Sequence, residues 1–236
     1  MPEPFKDESH IQGGEIIRQI VFGANDGIVS VFALLAGVAG AGQSATTILI
    51  TLLAATIAGA LSMAAGEYVS AKSERNYFEN EIRQERLEIK LVPEIEKEEL
   101  RIIYRKKGFS GKILEQIVDK ITENPDLWVR EMVIDEIGIA DIEQEGELKG
   151  VIVIFISFIL GAMFPTLPYI VLQALPAQVI FWIATAVTFL GLFLVGAMKK
   201  YVTGINWVKS GVEMLIAGTF AFSVSYVIGL MLNVPV

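Results

Sequence analysis

Residues 46–69 read TTILITLLAATIAGALSMAAGEYV, and residues 70–91 continue SAKSERNYFENEIRQERLEIKL. The first block carries a single charge, Glu67. A bilayer core of roughly 30 Å is crossed by about 20 apolar residues in a helix, so the block is long enough to span. The second block is densely charged, and it has neither Gly nor Pro to break a helix. One continuous helix is therefore expected, leaving the membrane near Lys72 and running on through water.

Working outward, four more apolar runs appear. One covers roughly 17–41. Another starts at 151 and meets Pro165 and Pro168, so it either stops near Phe164 or kinks and continues to Leu172. The last two cover roughly 175–198 and 212–232, with an earlier start for the final run, at 205, left open. The expected fold is all-α: a polytopic membrane protein with five transmembrane helices and a cytoplasmic, helical, metal-binding insert. The expected division is 1–71 for the N-terminal tail and first two spans, 72–149 for the acidic insert, and 150–236 for the last three spans.

Charge agrees with this division. The chain is 53% hydrophobic with a formal net charge of −8, yet 14 of its 19 Lys/Arg and 20 of its 27 Asp/Glu lie between Lys72 and Lys149. The acidic balance argues against nucleic acid as a partner. The absence of cysteine removes disulfides, thiolate metal sites and cysteine nucleophiles, and the single histidine, His10, removes a His-rich metal site. The first 20 residues are too acidic and Pro-interrupted for a signal peptide, so the spans are expected to be retained. Lys199, Lys200 and Lys209 between the last two spans, with Lys6 and Arg18 at the N-terminus, place those segments and the insert in the cytoplasm by the positive-inside rule.

Within the insert, Leu87 and Leu91, with Ile82 and Ile89 nearby, read as a partial apolar stripe. Pro93 opens a second helix to about Lys107, Gly108 ends it, and Ser110 is placed to cap a third that runs to about Thr122. Asn124-Pro125-Asp126 turns into a fourth helix carrying Trp128, Met132 and Ile137.

Ionisable groups inside the membrane mark ion or proton paths. Asp26 lies about nine residues into the first span, where a carboxylate costs roughly 2.5–3.5 kcal/mol on insertion scales. The competing reading is polar glue at a helix kink. On the second span Met63 and Glu67 are four residues apart and share a face. Met is also ordinary membrane filler, and Glu67 falls near the boundary, where a carboxylate is cheap. Small residues around them, including Ala58, Gly59 and Gly66, permit close helix approach. In the insert, Glu81, Glu85 and Glu88 share one face, and Glu96 and Glu99 share a face of the next helix. Neighbouring helices with such pairs can surround divalent cations with oxygen ligands. A solvated acidic face would carry the same spacing.

Two stretches resemble a known family. RQIVFGANDG at 18–27, followed by FALLAG at 32–37, resembles the first helix of the vacuolar iron transporter family, and AGALSMAAGEYVSAKS at 58–73 resembles its second. The resemblance extends to Asn124-Pro125 and Trp128 in the insert and to the five-span layout. It implies a homodimer that exports Fe2+, and often Mn2+, from the cytosol in exchange for protons, with Co2+ or Zn2+ as further candidates and no organic cofactor. By position, Asp26 and Met63 match the family's intramembrane metal path and Glu15 an acidic position near the cytoplasmic entrance. Glu85, Glu88, Glu96 and Glu99 match its spaced glutamates, and Met132 and Glu136 a Met and Glu on the insert's last helix. A second Met of the family is Val133 here, with Glu131 a candidate replacement, and an acidic position of the second helix is Ala55.

The mechanism expected from the chemistry is capture of Fe2+ by the insert and passage between the first two helices. Cation and proton would compete for the Asp26 carboxyl, and the Met63 thioether would disfavour Ca2+ and Mg2+. Spaced helical glutamates also build di-iron carboxylate enzymes, but those typically use Glu-x-x-His pairs, and the insert has no His. A ferroxidase, or a metal sensor or buffer without transport, is the alternative. The orientation fits export through a prokaryotic inner membrane or into a vacuole-like compartment.

Overall fold

The computed structural model describes residues 14–135, 147–200 and 206–232. Among these residues every regular element is a helix: α1 (Gly14–Gly40), α2 (Ala45–Leu91), α3 (Pro93–Lys106), α4 (Gly111–Thr122), α5 (Pro125–Asp135), α6 (Glu147–Val171), α7 (Ala177–Met198) and α8 (Trp207–Leu232). Five of them, α1, α2, α6, α7 and α8, are long and apolar enough to cross a bilayer. The protein is an all-α polytopic membrane protein. Its helices form two compact units, one from Met1–Tyr68 with Gly146–Val236, the other from Val69–Glu145. Helix α2 contributes to both without a break.

In the membrane unit α1 is the central helix, packed most extensively on α6 and then on α8. Lipid tails are as apolar as Leu, so burial alone does not draw such helices together, and close backbone contact through small residues does. A Cβ on Gly27 would sit 2.1 Å from the Phe158 carbonyl oxygen, and one on Gly161 would sit 2.2 Å from that of Ala24. Toward the other end of α1, a Cβ on Gly229 of α8 would sit 2.1 Å from the Gly37 carbonyl oxygen. An aromatic cluster joins α1, α7 and α8: the Phe32 ring lies 5.3 Å from Phe189 and 4.8 Å from Phe222, which stacks on Tyr226 at 5.8 Å.

Helix α2 buries a narrower strip at four-residue steps, Ile48, Leu52, Thr56 and Ala60, and leaves Ile50, Ile57 and Leu61 more than half exposed. Helix α6 settles the choice left open by its prolines. Pro165 and Pro168 both lie inside it, and it continues to Val171. Each proline removes one backbone donor, a loss that neighbouring helices and Ser/Thr side chains make tolerable in membrane helices.

The second unit has its own apolar core, with Ile89, Leu100, Leu114, Val118, Trp128, Val129 and Met132 buried and Phe78 and Ile82 packed against them. The stripe on α2 is therefore 78, 82, 85 and 89. The expected stripe through Leu87 and Leu91 is corrected, because those two side chains are 50% and 76% exposed. Only Val92 separates α2 from α3, whose first residue is Pro93. Gly108, at φ +98°, ends α3 in the left-handed region that favours glycine, and the next amide, Phe109, donates back to the Tyr104 carbonyl at 3.2 Å. Ser110 occupies the N-cap of α4, but its side chain makes no capping bond. Gly111 follows at φ +59°, so the chain enters that helix through a left-handed turn. Asn124 does cap α5, its Oδ1 accepting from the Asp126 and Leu127 amides at 3.0 and 3.3 Å. Ion pairs surround this core: Arg86–Asp126 at 3.0 Å, Lys97–Asp119 at 2.7 Å and Arg101–Glu115 at 3.1 Å. Lys97 holds the Asp119 carboxyl below the usual carboxylate range. Ile137 and His10 lie outside the described residues.

Candidate metal centres

Glu85 sits on the apolar stripe of α2, one turn before Ile89, and Glu96 lies in the first turn of α3, one turn before Leu100. Both are 4% exposed. The one-residue connection at Val92 folds α3 back, so one carboxylate oxygen from each of Glu85, Glu88 and Glu96 lies within 4.8 Å of the others. Three like charges this close repel, and a divalent cation among them converts that repulsion into coordination. Glu96 is also near the N-terminus of α3, the end of a helix that favours negative charge.

Glu81, one turn before Glu85, and Glu99, one turn after Glu96, are half-buried and lie outside that close group. Met132 is fully buried in the same apolar core as Ile89 and Leu100. Val133 is buried beside it. The candidate replacement, Glu131, is engaged elsewhere: the Tyr104 hydroxyl donates to its Oε2 at 2.8 Å. Burial, and then this bond, push the Tyr104 phenol well above its ordinary range, so it stays a neutral donor. Glu136 and the Glu15 side chain fall outside the described residues; Glu15 itself lies in the first turn of α1.

In the membrane unit, Asp26 is half-buried on α1, and its backbone carbonyl accepts the Ser30 hydroxyl at 2.5 Å. The neighbouring Asn25 Oδ1 is buried and bonded to no described residue. Met63 on α2 is half-buried and packs against the apolar core. Glu67, one turn further on, has partners that its spacing did not announce. Gln19 Nε2 donates to Glu67 Oε1 at 2.5 Å, and the Arg18 guanidinium lies 3.8 Å from the same oxygen. Among the described residues Glu85, Glu88 and Glu96 are the one close group of three or more His, Cys, Asp or Glu side chains.

Comparison with known proteins bears on the whole length. The model of the VIT family matches residues 17–230. The chain is 33% identical to vacuolar iron transporter 1 of Arabidopsis thaliana over 220 residues, covering 93% of this chain and 87% of that one. It is 32% identical to the vacuolar iron transporter of Toxoplasma gondii over 237 residues, covering 97% and 78% respectively. With the vacuolar iron transporter of Plasmodium falciparum it shares 28% over 233 residues, covering 96% and 85%.

Proposed function

The chain belongs to the VIT family, and from that premise we propose that it exports Fe2+ from the cytosol by proton-coupled antiport, with Mn2+, Co2+ or Zn2+ as further cargo. The observation that carries this reading is the end-to-end likeness to vacuolar iron transporters, 93% of the chain in the Arabidopsis case. The protein is a transporter in this reading and not an enzyme.

Capture begins at the insert, where Glu85, Glu88 and Glu96 gather and Glu81, Glu99, Met132 and Glu136 are the further candidate ligands. Glu15, Glu67, Met63 and Asp26 are the candidate residues of the path through the membrane unit. Asp26 is the coupling residue. Cation and proton compete for its carboxyl, so arrival of one releases the other. Met63 adds a soft ligand that disfavours Ca2+ and Mg2+. The insert and N-terminus face the cytoplasm, the far side is the cell exterior or a vacuole-like lumen, and the working form is a homodimer. The exposed strip of α2 supports the last point.

The test is anaerobic Fe2+ uptake into sealed proteoliposomes under a pH gradient, comparing wild type with Asp26→Asn. Uptake by wild type with opposite proton flux, and its loss in the variant, is the expected result. Fe2+ binding by wild type without transport under any gradient would sink the proposal and leave a sensor or buffer.

A further inference from the structure

We propose that Gln19 and Glu67 form an additional divalent-cation site in the membrane unit. When the site is empty the Gln19 amide stands in for the ion, and when it is filled the same amide ligates the ion through Oε1. The inference rests on the transport reading above and adds to it a neutral ligand on α1.

Gln19 is 3% exposed, on α1 between Arg18 and Ile20. Its Nε2 reaches across to α2 and donates to Glu67 Oε1 at 2.5 Å. Its own carbonyl oxygen, Oε1, is buried and accepts no hydrogen bond from any described residue. Buried acceptors are rarely left empty, and an empty one beside a carboxylate is in position for a cation. Glu67 is itself only 11% exposed, and both of its recorded contacts, from Gln19 and Arg18, fall on Oε1, leaving Oε2 outside them.

The space for the amide is supplied by a third helix. A Cβ on Gly150 of α6 would lie 2.4 Å from Gln19 Nε2 and 3.0 Å from Gln19 Cδ. Three helices thus converge on one primary amide. That group is the neutral side chain that offers a donor at one end and a hard oxygen ligand at the other. Its last torsion is soft and two-fold, so a half-turn exchanges Nε2 for Oε1 at nearly the same place. With the donor end forward, the amide neutralises part of the Glu67 charge. With the oxygen end forward, amide and carboxylate present two oxygens to one divalent ion. The carboxylate is never left bare between ions.

The experiment uses the full chain in proteoliposomes with Fe2+ under anaerobic conditions, reading KM and maximal rate separately. Gln19→Leu, which removes both polar atoms, is expected to raise KM about tenfold, at the lower end of the range for residues supporting a metal site, and to leave the maximal rate within about twofold. Gln19→Glu keeps an oxygen ligand and removes the donor, so its KM should stay at or below the wild-type value. Gly150→Ala, which crowds the amide without touching an ionisable group, should raise KM in the same direction as Gln19→Leu. A purely structural contact predicts a different pattern, in which Leu and Glu variants lose maximal rate together and KM does not move; that pattern overturns the proposal. If Gln19→Leu does not assemble, Gln19→Ala, which likewise removes both polar atoms and adds no ligand, replaces it. Absence of uptake by wild type would overturn the transport reading itself. Normal wild-type uptake with KM unmoved by every variant would overturn only the Gln19 site.

Discussion

Glu85 occupies a position that packing reserves for an apolar side chain, between Ile82 and Ile89 on the buried stripe of α2. A carboxylate there is costly unless something positive or hydrogen-bonding meets it. Glu79, six residues earlier, is a surface carboxylate paired with Arg75 at 2.9 Å. The contrast gives a prediction. Titration of the detergent-solubilised protein with Co2+ should show Glu85→Gln weakened by at least tenfold, as expected for damage to a metal site, and Glu79→Gln unchanged. The metal-free Glu85→Gln protein should also melt at or above the wild-type temperature, because one of three crowded negative charges is gone. Equal weakening by both substitutions would mean that diffuse acidity attracts the metal. At this scale the spacing of the glutamates was legible in the sequence, but it ranked Glu81, Glu85 and Glu88 alike. What separates them is the fold-back at Val92, a contact between helices that spacing along one helix does not contain. Gln19 was invisible for a different reason: a non-ionisable amide in an apolar run carries no charge signal, and its significance depends on Glu67, 48 residues away.

Helices are the best-read objects in this chain, because long apolar runs and long charged runs without breakers leave little choice. Five spans were expected and five are found, and the unbroken α2 follows from the missing Gly and Pro between 67 and 91. The misreadings occur where a local rule met packing. Prolines in α6 left its end undecided until its neighbours were known. Leu87 and Leu91 looked like a stripe by composition, yet they lie on roughly the opposite side of α2 from the packed face at 78, 82, 85 and 89. Which glycines matter is likewise set by neighbours. Gly27 of α1 presses on the α6 backbone, whereas Gly66 of α2 has open space around a would-be Cβ. Gly27→Ala should therefore lower the melting temperature and yield of the solubilised protein, since α1 and α6 must separate. Gly66→Ala should be neutral or stabilising by up to about 1 kcal/mol, the ordinary gain for Gly to Ala within a helix. Thermal unfolding followed by size-exclusion fluorescence checks both, and a destabilised Gly66→Ala would mean that something absent from the single chain fills that space.

For the molecule as a whole, the open question is what covers the exposed apolar strip of α2. A two-fold dimer would bring the same strip of each copy together. The chain has no cysteine, so single cysteines introduced at Ile50, Ile57 or Leu61 report without background. Oxidation in native membranes should give covalent dimers for at least one of them and not for Leu160→Cys, an equally exposed residue on α6. Cross-linking at Leu160 alone would move the dimer face away from α2. The central place of α1 has a consequence in time. Its two main partners, α6 and α8, begin at Glu147 and Trp207, more than a hundred residues after α1 is complete. At a translation rate of about 5–20 residues per second, α1 waits on the order of 10–40 s in the bilayer before α8 arrives. The earliest of these five spans is among the last to acquire its neighbours, and its bare glycine face during that interval is the stage of biogenesis most open to quality control.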